Sequence, residues 1–175
     1  MEKLVSAATL SLLIISPSFA ATVKIDHYMG TTEVEQSPKR VVVIGFGPLD
    51  MLDSFGIDPV AVSNASHLPK YLSKYNKTHY TSAGSLFEPD FETIYTQKPD
   101  LILVGPRGSS KYDELSEIAP TVVLASGENE GYWQGTKAQW RNVGKIFNME
   151  EKVEQKIENL DAQFKAIRDY NQTNN

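Results

Sequence analysis

Short apolar runs alternate with amphipathic segments along the middle of the chain. The runs are rich in β-branched residues, and each is followed by glycine or another small residue, which is typical of strands buried on both faces of a sheet. They lie at residues 41–44, 59–62, 101–104 and 121–124. The helices predicted around them lie at residues 48–55, 90–95 and 110–118. Strands that alternate with helices predict an α/β fold with a mostly parallel sheet and flanking helices.

The two ends of this region have other patterns. Residues 22–35 alternate loosely between apolar and polar side chains and predict a β-hairpin at the edge of the sheet. Residues 136–147 and 149–170 predict two helices, with Asn148 as the N-cap of the second. The second helix has an apolar residue at every third or fourth position and a length of about 33 Å. It either docks on the sheet or leads into a second domain, and we expect the polar tail after it, residues 171–175, to fray.

The N-terminus carries the pattern of a cleavable secretory signal. Lys3 precedes the apolar run Leu4–Ile15, and Pro17 ends that run. Small residues then lead to a cleavage position after Ala20. The run is shorter than the roughly 20 apolar residues that a membrane span requires. We therefore predict a signal peptide over residues 1–20 and no membrane insertion after its cleavage, with an uncleaved N-terminal anchor as the alternative.

Composition narrows the classes of function. Lys and Arg number 17 against 22 Asp and Glu, so the net charge is −5. This balance argues against a nucleic-acid-binding protein and against a polybasic membrane-surface protein. The absence of cysteine excludes disulfides, thiolate metal ligands, a cysteine nucleophile and a lipid on an N-terminal cysteine. An exported protein without cysteine fits the bacterial periplasm.

Catalytic and metal-binding patterns are missing from the sequence. It contains no Gly-x-Ser-x-Gly elbow, and the histidines (His27, His67 and His79) lack the i, i+4 pairing and carboxylate neighbours of metal sites. Gly45-Phe46-Gly47 is half of a dinucleotide fingerprint, and a tight strand-to-helix turn explains it more simply. We predict no catalytic residue, no metal site and no cofactor.

Arg107 is the candidate with the clearest chemistry. It follows the predicted strand 101–104, in the loop Gly105–Ser110. In open α/β sheets, ligands bind at the carboxyl ends of strands, where an arginine presents a rigid fork of donors to an anion. Position alone leaves two interpretations open: Arg107 binds an anionic ligand, or it pairs with a surface carboxylate.

Several segments occur in an order that is found in one family. They are Val41–Gly47, Leu68–Leu72, Asp90–Ile94, Lys98–Ile102, Gly105–Arg107, Lys111–Asp113 and Glu117–Thr121. In this order, they resemble the periplasmic substrate-binding proteins of ABC importers for ferric siderophores. The string Leu68-Pro69-Lys70-Tyr71-Leu72 and the loop arginine are most similar to the branch that binds catecholate siderophores.

The resemblance implies a fold of two Rossmann-like α/β lobes joined by one long helix, with the ligand in the cleft between the lobes. Residues 21–147 match the first lobe and residues 148–170 match the connecting helix, and a second lobe is absent. In the family that lobe supplies further ligand-binding arginines and, in the catecholate branch, a histidine and a tyrosine that reach the iron. No residue here is assigned to those roles, so we expect a fragment or the product of a truncated gene.

The resemblance also implies roles for single residues. Arg107 matches the first-lobe arginine that meets the anionic chelate. Glu92 matches the first-lobe glutamate that docks on arginines of the membrane permease, and is otherwise an ordinary exposed helix carboxylate. Tyr71 is suited to stack on a catechol ring. The residues expected to line the cleft beside Arg107 are Phe46, Gly47, Lys70 and Tyr71.

The predicted function is that of the periplasmic solute-binding component of an ABC importer. Its ligand is a ferric siderophore, a catecholate by preference, and its protein partner is the inner-membrane permease; no bond chemistry is involved. The alternatives are a non-binding fragment or protein-interaction module, and a binding protein for another iron chelate or cobalamin. An exported α/β enzyme is disfavoured because the sequence offers no nucleophile–base pair and no metal cluster.

Overall fold

A parallel sheet forms the centre of the molecule. The computed structural model describes residues 21–64, 68–76, 80–127 and 131–174, so the predicted signal peptide, His67 and His79 lie outside the described residues. The strands in chain order are β1 Thr22–His27, β2 Gly30–Glu35, β3 Val41–Ile44, β4 Ala61–Val62, β5 Thr81–Ser82, β6 Leu101–Val104 and β7 Thr121–Val123. The last five form one sheet in the order β5-β4-β3-β6-β7, and every neighbouring pair is parallel. The predicted α/β fold with a parallel sheet is confirmed.

Helices flank this sheet and close the chain. They are α1 Phe46–Phe55, α2 Phe91–Thr96, α3 Tyr112–Ser116, α4 Tyr132–Phe147 and α5 Glu150–Asn174, with 3₁₀ segments at Lys70–Asn76 and Pro106–Lys111. The helix predicted over residues 110–118 is therefore divided in two. Pro106, the first residue of the 3₁₀ segment, and the bond from the Gly108 N–H to the Gly105 carbonyl (3.1 Å) begin a tighter turn before the α-helix starts.

The strand β5 was not predicted because the sequence gives it no apolar pattern. Its two residues, Thr81 and Ser82, are polar and half-buried, and they belong to the sheet only because Ala61 and Val62 lie beside them in register. The strand predicted at 59–62 is shorter than expected and begins at Ala61. Both differences lie on the side of the sheet formed by β5 and β4, where pairing with neighbouring strands rather than the local sequence pattern sets the strand bounds.

The hairpin is confirmed, but its predicted place at the edge of the sheet is wrong. β1 and β2 pair antiparallel as a separate two-stranded sheet. Ile25 and Val34 reach the core, and the Thr32 hydroxyl donates to the Thr121 carbonyl (2.9 Å). The Asn142 side chain donates to the Asp26 carbonyl (2.8 Å). The hairpin is therefore attached to β7 and α4 through side chains rather than through a backbone ladder.

His27 holds the end of β1 against β7. Its Nδ1 accepts from the Met29 N–H (3.2 Å) and the Val123 N–H (3.4 Å), and its Nε2 lies 2.9 Å from the Thr32 hydroxyl. Burial lowers the pKa of His27 below the ordinary value of 6.5, against the opposing effect of Asp26. The accepting nitrogen agrees with this direction, because it must stay unprotonated to keep both backbone hydrogen bonds.

We expect the free energy of unfolding to fall as the pH drops below about 6.5. A histidine whose pKa is depressed in the folded state takes up its proton first in the unfolded chain, so the stability present above the unfolded pKa is lost as the pH falls toward the folded value. Urea unfolding followed by circular dichroism between about pH 7.5 and pH 5 measures this. The variant His27→Gln should have a flatter pH dependence; an identical dependence in both proteins would contradict the assignment.

The central strands are buried on both faces and divide the core into two layers. One layer packs against α1, α4, α5 and the hairpin, and the other against α2 and α3. The residues that the five-stranded sheet contributes to the first layer are Val41, Val43, Val62, Leu101, Leu103 and Val122. Those of the second layer are Val42, Ile44, Ala61, Ile102, Val104 and Val123. This alternation explains why the strands are apolar at every position rather than at every second one.

Asn148 ends α4 rather than beginning α5, so its predicted N-cap role is wrong. It adopts the left-handed conformation (φ 55°, ψ 48°), and the Met149 N–H donates to the Gly144 carbonyl (2.8 Å). Asparagine tolerates this conformation at a helix C-terminus, where it reverses the chain. The helix that follows also extends further than predicted, through Asn174, with Thr173 and Asn174 side chains bonding back to carbonyls one turn earlier.

Contacts of side chains fix the long helix α5 to the lobe. Lys152 donates to the Phe55 carbonyl (2.9 Å), and Lys156 donates to the Ser54 carbonyl (3.4 Å), which satisfies two carbonyls at the C-terminus of α1. Farther along, the Asp161 carboxylate accepts from the Trp133 indole (2.6 Å) and from Lys137 (3.2 Å) of α4. The predicted apolar stripe is divided: Val153 and Ile157 are buried, while Phe164 and Ile167 are exposed.

Within the described ranges, no helix combines the length and the apolar character needed to cross a membrane.

Candidate functional site

The ends of β3 and β6 meet at the carboxyl edge of the sheet. The Gly105 N–H donates to the Ile44 carbonyl (2.7 Å), and a Cβ on Gly45 would lie 3.0 Å from the Gly105 Cα. Gly45 also has φ 137°, a conformation that L-residues rarely adopt. The two strand-end loops therefore touch through their backbones, and glycine is required at this point of contact.

A cavity of about 260 Å³ opens between these loops. Its walls come from the end of β3, the start of α1, the loop after β6 and one residue of the loop after β5. The lining residues are Ile44, Gly45, Phe46, Gly47, Leu86, Gly105, Pro106, Arg107 and Gly108. The predicted residues Phe46, Gly47 and Arg107 are thus brought together in one wall, although they are far apart in the sequence.

Arg107 is exposed on the rim of this cavity. No carboxylate of the described part of the chain forms a salt bridge with it, so the surface ion pair considered from the sequence is not found there. The 3₁₀ segment that carries it is anchored by Gly108, which is buried against Val104 and Ile44. The guanidinium at the cavity rim is therefore exposed to solvent, and no described carboxylate competes for its donors.

The N-terminus of α1 adds positive potential to the same wall. Gly45 is the N-cap and provides no capping side chain, and the first turn contains no acidic residue. The first amides of a helix lack intrahelical acceptors and carry a partial positive charge. The cavity consequently combines a guanidinium, a helix N-terminus and the ring of Phe46, a set suited to an anionic ligand with aromatic or apolar parts.

Lys70 and Tyr71 do not line this cavity. They begin the 3₁₀ segment Lys70–Asn76, and Tyr71 is 65% exposed. The carboxylate of Asp50, one turn along α1 from Phe46 and Gly47, raises the pKa of the Tyr71 hydroxyl. Tyr71 therefore contacts α1 beyond the wall of this cavity, and the place of Lys70 and Tyr71 in a cleft between two lobes stays a prediction.

Leu86 is the cavity residue that sequence reasoning missed. It lies in a loop rich in small and polar residues, between β5 and α2, and belongs to no repeating apolar pattern of helix or strand type. It reaches the cavity because the loop folds toward the segment after β6: a Cβ on Gly108 would lie 3.4 Å from the Leu86 carbonyl. No local pattern in the sequence marks such a contact.

Glu92 is exposed in the first turn of α2. This helix follows β5, so its N-terminus lies at the same edge of the sheet as the cavity. Asp90 caps the helix by accepting from the Thr93 N–H (2.9 Å) and the Thr93 hydroxyl (2.7 Å), and these bonds lower the pKa of Asp90. Glu92 forms no salt bridge within the described residues and is free to meet a partner.

A metal site built from protein side chains is not seen in this part of the molecule. Over the residues that the structure describes, no cluster of three or more His, Asp or Glu side chains is placed to hold an ion.

A parallel α/β lobe with an anion-suited cavity at its strand ends is the architecture of a solute-binding protein. The chain belongs to the periplasmic binding protein family, whose sequence profile matches residues 41–175. The family membership predicted from the sequence is confirmed.

Several similar proteins are named for the iron siderophores that they bind. The petrobactin-binding protein YclQ of Bacillus subtilis is 41% identical over 141 residues, which are 80% of this chain and 44% of YclQ. The ferric-anguibactin-binding protein FatB of Vibrio anguillarum is 30% identical over 147 residues, 82% of this chain and 45% of FatB. The structure is also similar to the crystal structure of VctP, the periplasmic catecholate-siderophore binding protein of Vibrio cholerae, with a TM-score of 0.84. The two sequences are 63% identical, and the match covers 87% of this chain and 55% of VctP. The chain spans about half the length of the curated relatives it matches.

Proposed function

We propose that the chain is a ligand-binding lobe of a periplasmic receptor that captures a ferric siderophore, preferably a catecholate, for an ABC importer. The observation that carries this proposal is Arg107, exposed on the cavity rim without a carboxylate partner among the described residues. The siderophores for which YclQ, FatB and VctP are named support the same class of ligand.

The chemistry of the ligand fits the cavity wall. A ferric tris-catecholate is a trianion with aromatic rings, so it needs positive charge together with apolar surface. Arg107 supplies charged donors, the N-terminus of α1 supplies partial positive charge, and Phe46 and Leu86 supply apolar contact. Local charge has to act against the overall charge of −5, which makes the contribution of Arg107 decisive.

The proposal places the chain in the periplasm, with the importer's permease as its partner. Glu92, on the same edge of the sheet as the cavity, is proposed to contact arginines of that permease. Exposed charge pairs of this kind orient the partners and raise the association rate more than they raise affinity.

We expect Arg107→Ala to weaken binding of a ferric tris-catecholate about 10- to 100-fold. The variant removes charge-assisted hydrogen bonds, each worth about 1.5–3 kcal/mol where the donor is charged. Arg107→Lys should give an intermediate affinity because it keeps the charge and loses the planar fork. Equilibrium dialysis of the coloured iron complex at fixed ionic strength measures the dissociation constants.

The control for this experiment is Arg168→Ala. Arg168 is exposed on α5, outside the cavity lining, so its removal changes the net charge equally and should leave the affinity unchanged. Equal affinities of Arg107→Ala and Arg168→Ala would overturn the proposed site. Ferric citrate and a ferric hydroxamate, run in parallel, distinguish a catecholate receptor from a receptor for other iron chelates.

A further inference from the structure

The exposed face of α1 leads from the cavity wall to a carboxylate. Phe46 and Gly47, in the first turn of α1, belong to the wall, and Asp50 follows them by four and three residues. Residues at these spacings are neighbours on one face of a helix. Asp50 is exposed, whereas the residues on either side of it, Leu49 and Met51, are buried. The Asp50 side chain therefore lies one helical turn, about 5.4 Å, from the wall and on the same face of α1.

No cation among the described residues pairs with Asp50. The next carboxylate along this face, Asp53, forms a salt bridge with Lys74, but Asp50 forms none. The hydrogen-bond partner of Asp50 is the Tyr71 hydroxyl, which is neutral. An anionic chelate bound at the cavity wall is repelled by such a carboxylate. A role for Asp50 in binding therefore requires a ligand that also carries positive charge.

Tyr71 places an aromatic ring beside this carboxylate. Tyr71 is 65% exposed although its hydroxyl is bonded to Asp50, so much of the ring is open to solvent. The hydroxyl occupies one of the acceptor positions of the carboxylate and leaves others for a further donor. A carboxylate next to an aromatic ring offers a protonated amine a charge-assisted hydrogen bond and a cation–π contact. We call these two residues the Asp50–Tyr71 pair.

A ligand of siderophore size extends beyond the cavity. The cavity holds about 260 Å³, which is less than the roughly 300–1,000 Å³ of sites that enclose drug-sized ligands. A complex of three catechol groups around one iron is at least as large as such a ligand, so when it is bound at Arg107 it also covers neighbouring surface. The exposed face of α1, with the Asp50–Tyr71 pair, is part of that surface.

We propose that the Asp50–Tyr71 pair binds a protonated amine in the backbone of the siderophore, while Arg107 and the N-terminus of α1 bind its anionic iron centre. The two subsites have opposite charge and lie on adjacent surface, which suits a ligand that has an anionic chelate and a cationic arm. This inference rests on the proposed function and narrows its ligand class to amine-bearing catecholates.

The test crosses a change in the protein with a change in the ligand. The ligands are the ferric complex of a tris-catecholate with a secondary amine in its backbone and the complex of its N-acetyl derivative, which lacks that positive charge. We expect the wild-type chain to bind the amine complex about 5- to 10-fold more tightly, the combined effect of an exposed ion pair and a cation–π contact. Asp50→Asn should abolish this preference. Equilibrium dialysis at fixed ionic strength gives the four dissociation constants.

The choice of variants separates the charge of Asp50 from its structural contact. Asparagine keeps an acceptor for the Tyr71 hydroxyl, so Asp50→Asn removes the charge and retains the hydrogen bond. Asp50→Glu keeps the charge and should retain most of the preference. The control is Glu158→Gln, which removes one negative charge from an exposed position on α5 and should keep the wild-type preference.

The outcomes distinguish this inference from the proposed function. If Asp50→Asn binds both complexes more tightly by the same factor, Asp50 only repels the chelate and the inference is overturned. Equal affinities of the wild-type chain for the two complexes, or an equal preference in wild type and Asp50→Asn, would also overturn it. In these cases the proposed function stands, because the N-acetyl complex still binds through Arg107. A wild-type chain that binds none of the iron complexes would overturn the proposed function, and the inference with it.

Discussion

Gly84→Ala should destabilise the lobe by roughly 2–5 kcal/mol, the combined cost of a left-handed non-glycine residue and of steric overlap. Gly84 has φ 85°, and a Cβ there would lie 2.4 Å from the Asp90 nitrogen and 2.6 Å from the Glu88 carbonyl oxygen. Both neighbours are backbone atoms and cannot rotate away. The loop must therefore open, which breaks the bond between the Asp90 N–H and the Ala83 carbonyl.

The matched control for this variant is Gly56→Ala. Gly56 has nearly the same conformation, φ 77°, with nothing within 4 Å of the added Cβ, so it carries the conformational cost alone, about 1–2 kcal/mol. Urea unfolding of both variants, followed by circular dichroism, gives the difference. Equal losses would show that the loop accommodates a side chain at Gly84. A larger loss at Gly84 should also reduce ligand affinity, because the loop carries Leu86 into the cavity.

Phe55→Ala is the second variant with a large expected effect, a loss of about 3–5 kcal/mol. Phe55 is 2% exposed at the end of α1 and meets the Trp140 ring edge to face, with centroids 5.6 Å apart. The Lys156 Nζ lies 5.2 Å from the centroid of the Phe55 ring. Truncation leaves a cavity at the point where α1, α4 and α5 meet. The variant therefore loses both the ring contact with Trp140 and the packing of the buried side chain.

The control is Phe87→Ala, which removes the same side chain from an exposed position and should change stability by less than about 0.5 kcal/mol. Phe55→Leu, which keeps most of the buried volume, should fall between the two. If Phe55→Ala were as stable as Phe87→Ala in urea unfolding, α1 would not depend on this anchor. The result bears on function because the opposite end of α1 forms the cavity wall.

The groups placed at the two ends of α1 both match the charge of the helix dipole. Its N-terminus faces a cavity suited to an anion, and its C-terminal carbonyls accept from Lys152 and Lys156. Cations at the C-terminus and an anion at the N-terminus both interact favourably with the helix dipole. The lysines of α5 therefore hold in place the helix that presents Phe46 and Gly47.

Part of the candidate site was predictable because it follows from topology. Strand ends of a parallel sheet converge on one edge, so Arg107, Phe46 and Gly47 were expected together and are found together. Leu86 was not predictable, since its loop reaches the cavity only through contacts with the segment after β6. Lys70 and Tyr71 begin a 3₁₀ segment outside the cavity lining, and a short sequence string does not determine the direction in which such a segment presents its side chains.

The parallel α/β core, the hairpin and the long helix α5 follow from the amino-acid sequence, because apolar runs and helical periodicity indicate locally which residues are buried. Three features emerge in the folded molecule alone: the hairpin forms a separate sheet, Asn148 turns the chain in the left-handed conformation, and Arg107 has no carboxylate partner among the described residues. The place of the hairpin depends on bonds to β7 and α4, which lie far from it in the chain, and the turn at Asn148 depends on a backbone conformation that apolar periodicity does not encode.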